Sequence, residues 1–147
     1  MDVHSLSELA AGNSISSWMV LGPFVVRTGW QFEREYLYER DRILDIDYLA
    51  ADGGEARVQP EPGGVHENAG LGPKQLRWTA YPGTELDGNQ IAGDAIYETV
   101  QRNCVIYAAA FVECEAETAA LLDAYHSGMK AWLNGHLVCN EPYGIPK

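Results

Sequence analysis

At 147 residues, the chain suits a single domain able to bury roughly two-thirds of its unfolded surface. Hydrophobic residues make up 46 % and charged residues 21 %, the balance of an ordinary globular protein rather than a disordered or fibrous one. Ten Lys and Arg against 21 Asp and Glu give a net charge of −11, which disfavours nucleic acid and anionic membrane as partners and leaves a cation or a neutral sugar compatible.

No apolar run approaches the ~20 residues needed to cross a bilayer. The opening "MDVHSLSELAAGNS" places Asp2 where a secretion signal carries positive charge, and no apolar stretch follows, so the chain as written is expected in the cytoplasm. Residues 1–14 form a polar lead, with a helical turn expected through "SLSELAA". Residues 15–140 are expected to supply the strands of one domain spanning 1–147.

"SSWMVLGPFVV" is the first strong β signal, with Trp18, Val20 and Leu21 ahead of a break at Gly22-Pro23. A charged helix is conceivable from Phe32 to Leu44, where Phe32, Tyr36, Leu37, Arg40 and Leu44 roughly follow a 3.6-residue period, although its aromatic and β-branched residues argue against one. Residues 53–73 are dense in Gly and Pro and are expected to be mostly loop. "LRWTAYP" is a short strand candidate, and "CVIYAAAFVEC" (104–114), apolar on both faces, is expected to be the buried central strand.

In "MKAWLNGHLV", Asn134-Gly135 separates two β-like stretches. This is a strong hairpin signal, because a type I′ turn needs positive φ at both central residues. A two-residue loop pairs Leu133 with His136, Trp132 with Leu137 and Ala131 with Val138. Short strands joined by loops, with little helix, point to an all-β fold, an antiparallel β-sandwich.

Cys104, Cys114 and Cys139 are an odd number and make no complete disulfide framework. If 104–114 is one strand, its terminal cysteines stand ~33 Å apart and cannot bond. Buried free thiols are the expectation. His136 and Cys139 alone are too few for zinc, and the histidines show no metal-binding spacing.

In order along the chain, four pieces resemble the galactose-binding-domain-like jelly rolls that serve as accessory modules in bacterial carbohydrate-active multidomain proteins. "WMVLGPF" is similar to the family's opening W-x-x-x-GPF strand, and "DYLAADGGEARVQPEPGG" to its Asp-x-x-Leu…Gly-Glu…Pro…Gly segment. "LRWTAY" matches its next Trp strand. "VIYAAAFVECEAETAALLDAYHSGMKAWLNGHLV" resembles its central strand and its D-D-G-x-K-x-W-x-N-G hairpin. These pieces span 18–138, and the W-x-N-G hairpin is the most specific of them.

Two departures stand out. His126 and Ser127 replace the acidic pair before the hairpin glycine, which puts in doubt any function needing those carboxylates. The family continues for two or three strands beyond the hairpin, whereas this chain ends at "NEPYGIPK". The sandwich is therefore expected to be incomplete at its C-terminus, with a protein partner or a second copy completing the sheet.

The resemblance implies a non-catalytic module that supports a carbohydrate-active partner or binds a glycan through loops at one end of the sandwich. The support role is slightly favoured, since the sequence locates no aromatic cluster with polar groups. The alternative is a small subunit contributing residues to a shared hydrolase or lyase active site.

Four residues are candidate ligand contacts: Trp30, after Thr28-Gly29 in a loop-like stretch; Trp78; His126; and Trp132, beside the hairpin turn. An aromatic face stacks on a sugar ring, although a Trp is ordinarily packed. No catalytic residue is assigned, because His126, Ser127 and Asp123 are neighbours in a turn and lack the convergence a triad needs. Asp41, Asp45, Asp47, Asp52 and Glu55 read as a solvated acidic face. Asp87, Asn89 and Asp94, in the Gly-rich "LDGNQIAGD", are the runner-up site for a structural calcium, and no other cofactor is implied.

Overall fold

A computed structural model of the chain describes residues 3–10, 15–25, 43–70, 72–82, 104–122 and 128–141. The fold is all-β. Among the described residues its helical content is one short α-helix, α1 (Leu6–Ala10), and the 3-10 turns Ile43–Asp45 and Ala50–Asp52. The helical turn expected in the polar lead is α1, and the stretch considered for a charged helix lies almost wholly outside the described residues. Among the described residues no helix is long and apolar enough to cross a membrane.

The chain divides into two compact units, 1–25 with 60–120 and 26–59 with 121–147. In the first, β2 (Ser17–Val25) is the middle strand of an antiparallel sheet, between β5 (Thr79–Pro82) and β6 (Cys104–Ala109). It pairs Trp18 with Tyr81 on one side and Leu21 with Tyr107 on the other. Gly22-Pro23 does not end this strand. The pairing with β6 shifts by one residue between Leu21 and Phe24, so Gly22 and Pro23 form a bulge within it, where a proline lacking an N–H is tolerated.

The expectation of one central strand over 104–114 is corrected. The run divides at Ala110 into β6 and β7 (Phe111–Glu113), and β7 pairs in parallel with β1 (Val3–Ser5). The six residues from Met19 to Phe24 are buried, whereas β6 is mostly half-buried, so β2 holds the place assigned to 104–114. Cys114 is exposed, and Cys104 and Cys139 are half-buried, which corrects the expectation of buried thiols.

The described part of 53–73 is mostly loop, as expected, with one short strand in it. Val65–Glu67 form β3 inside this Gly/Pro-rich region and pair with β4 (Gln75–Arg77), so "LRWTAYP" is two strands that part at Trp78. Asn68 fixes the connection. Its backbone N–H donates to the Lys74 carbonyl at 2.8 Å, its side-chain amide donates to the Pro73 carbonyl at 3.0 Å, and its Oδ1 accepts from Gly70 N–H at 3.0 Å. The unit's core comprises Met19, Val20, Leu21, Phe24, Leu76 and Trp78, with buried His66 among its polar members. Phe24 meets the rings of His66 and Tyr107 edge-on, each at 5.3 Å between centroids.

The described part of the second unit is a loop, 43–59, and a hairpin of β8 (Met129–Leu133) and β9 (His136–Glu141). Asn134 and Gly135 have φ of 49° and 80°, as the turn chemistry requires. Leu133 pairs with His136 and Trp132 with Leu137, as the turn predicts, but Ala131 pairs with Cys139 and not with Val138. Val138 is an extra residue on β9, a β-bulge that the sequence does not announce.

Candidate functional site

The exposed aromatic of the hairpin is the centre of the candidate site. Trp132 retains 37 % of its accessible surface, and Leu133, Leu137 and Val138 beside it are also exposed. Because side chains alternate along a strand, Lys130 lies on the Trp132 side of β8. Its ammonium stands over the indole, 5.9 Å from the ring centroid, near the outer limit of a cation–π contact. The same Nζ donates to Glu55 Oε2 at 2.8 Å, an ion pair whose side chains are only 14 % and 5 % exposed.

Glu55 is held in place by its own loop. Asp47 accepts from Leu49 N–H at 2.9 Å and from Glu55 N–H at 3.1 and 3.2 Å through its two oxygens. Gly53 and Gly54 turn the chain between these anchors at φ of 96° and 97°, a conformation that L side chains rarely adopt. Leu49, fully buried, carries the loop's apolar anchor, and its carbonyl accepts from Asp52 and Gly54 N–H. The hairpin tip lies against this loop, since a Cβ added at Gly135 would stand 3.1 Å from the Ala56 carbonyl oxygen. Tyr48 belongs to the same group: burial, and then the charge of Glu55, raise its hydroxyl above the ordinary tyrosine range.

The expected solvated face of carboxylates is therefore corrected in part. Asp45, Asp47 and Asp52 are exposed, but Glu55 is buried against Lys130, and Asp47 organises the loop. Asp41 lies outside the described residues, as do the calcium candidates Asp87, Asn89 and Asp94. Among the described residues no three His, Cys, Asp or Glu side chains come together as a metal-binding group.

Of the four candidate ligand residues, the structure places Trp132 at the surface and Trp78 in the core of the first unit, only 6 % exposed. Trp78 exchanges backbone hydrogen bonds with Gly63 and Gly64 at 2.8 and 2.9 Å, continuing the β3–β4 ladder, and its ring is not offered to solvent. Trp30 and His126 lie outside the described residues. The Lys130–Glu55 pair was missed by sequence reasoning, because its members are 75 residues apart and nothing local to either marks the other.

Comparison with known proteins gives no match to a family model, to a curated protein or to a solved structure.

Proposed function

We propose that this chain is a non-catalytic accessory module with a galactose-binding-like jelly-roll β-sandwich, and that it binds glycan for a carbohydrate-active partner at the hairpin bearing Trp132. The observation that carries the reading is an indole left more than a third exposed beside a fixed ion pair. An aromatic surface with a few placed polar groups is what sugar recognition uses: apolar C–H faces stack on the ring while hydroxyls meet the charged groups. The all-β content and the W-x-N-G hairpin with its positive-φ turn are in keeping with the family it resembles.

The experiment is a glycan panel screened with the wild type and with Trp132→Ala. Binding that the substitution abolishes, with an unchanged melting temperature, is the expected result. A wild type that binds nothing, or a variant with the same profile, refutes it.

A second reading is favoured by the apolar character of the hairpin. Exposed Leu133, Leu137 and Val138 give it the large apolar side chains of a protein contact, and the module would then support a catalytic partner. A photo-crosslinker at position 137 would couple to a glycoside-processing polypeptide under this reading. Coupling to no such protein rejects it.

A further inference from the structure

The Lys130–Glu55 ion pair and the exposed Trp132 meet at a single ammonium. Strand alternation puts Lys130 and Trp132 on one face of β8, and there Nζ makes two contacts: 2.8 Å to the carboxylate and 5.9 Å to the ring centroid. Glu55, with its side chain 5 % exposed on a backbone pinned by Asp47, anchors the ammonium that stands over the ring.

We propose that Lys130 and Glu55 are positioning residues that hold the Trp132 indole as a platform and bias it toward uncharged sugar rings over cationic amino sugars. The inference rests on the glycan reading above. An aromatic ring attracts cations through the negative potential of its faces. With Lys130 already at the ring, a second ammonium brought to the indole gains less from that potential and meets the positive end of the Lys130–Glu55 pair. A neutral pyranose pays no such penalty, because its C–H groups require only the flat surface.

The test has two arms. In the first, indole N–H resonances are recorded with 15N-labelled tryptophan in the wild type and in Lys130→Met, Glu55→Gln and Lys130→Arg, with Trp132 assigned through Trp132→Phe. The Trp132 resonance is expected to move in Lys130→Met and Glu55→Gln while those of Trp18 and Trp78 stay in place. Lys130→Arg, which keeps a cation at the ring, is expected to restore most of the position. A Trp132 resonance that stays in place, or all indole signals moving together in both variants, overturns the positioning role.

In the second arm, cellotetraose and the β-1,4-linked glucosamine tetramer, matched in backbone and differing in charge, are titrated at low salt. The wild type is expected to favour the neutral sugar, and Lys130→Met combined with Glu55→Gln, which leaves no unpaired carboxylate, to shift the ratio toward the cationic one by about threefold, the scale of an exposed cation–π contact. An unchanged ratio overturns the specificity. Binding of neither sugar, with the resonance shifts present, rejects the glycan reading and its specificity while the positioning of Trp132 stands.

Discussion

Gly72→Ala offers a quantitative test of the packing beneath β2. Gly72 has φ of 91°, and a Cβ built there would lie 2.8 Å from Val25 Cγ2, 3.4 Å from Val25 Cβ and 3.7 Å from the Pro23 carbonyl oxygen. Forcing an L-residue into the left-handed region costs about 1–2 kcal/mol. Overpacking adds about 1–3 kcal/mol, since the close atom is a methyl of a β-branched side chain whose rotation is restricted. Reduced freedom of the unfolded chain returns about 0.4–1 kcal/mol.

The expected net loss is about 1–4.6 kcal/mol, a large share of the roughly 5–15 kcal/mol typical of a domain. Urea denaturation monitored by tryptophan emission measures it as a shift in midpoint at constant slope. The double variant with Val25→Ala separates the two causes. Removing the Val25 methyls relieves the steric part and leaves the backbone part, so the double variant is expected to be about 1–2 kcal/mol more stable than the sum of the single losses. A Gly72→Ala variant within about 0.5 kcal/mol of wild type, a scale typical of unconstrained surface positions, would refute the argument, as would strict additivity.

Asp47→Ala removes the acceptor of the Leu49 and Glu55 N–H groups and is expected to destabilise the loop by about 1–3 kcal/mol; hydrogen exchange at those two amides should rise, and unaltered protection refutes it. Cys114 is exposed, whereas burial raises the Cys104 thiol, so iodoacetamide should modify Cys114 first; mass spectrometry finding Cys104 labelled ahead of it contradicts this. Tyr48 ionises above its unfolded value of about 10, so its contribution to stability is fully present below that pH and is lost as pH rises through the folded value. Melting curves of wild type and Tyr48→Phe between about pH 9 and 11 are expected to show a steeper alkaline loss in the wild type, and parallel curves refute the assignment.

What the sequence makes legible here is what the backbone decides locally. Asn134-Gly135 predicts its own turn and the two nearest cross-strand pairs, because both residues must take positive φ. Gly22-Pro23 is equally local and yet misleads, since a bulge and a strand end carry the same residues. Apolarity marks 104–114 as β but does not give its order in a sheet; β2 takes the central place because it has partners on both sides. At the candidate site, Trp132 is visible as an aromatic beside a turn, whereas Lys130 reads as an ordinary strand charge and Glu55 as one acid among five. Their meeting depends on a loop and a hairpin folding together, a long-range event with no local signal.

The bulge at Val138 also decides where this hairpin can change in length. Removing that one residue would leave Trp132 opposite Leu137 and Ala131 opposite the cysteine now at 139, with every other rung of the ladder intact. Loss of a β8 residue, where the ladder has no spare one, would instead leave a further unpaired residue on β9 and turn the side chains beyond it to the opposite face. A one-residue deletion at Val138 is therefore the length change expected to cost the hairpin least, with the indole still opposite Leu137.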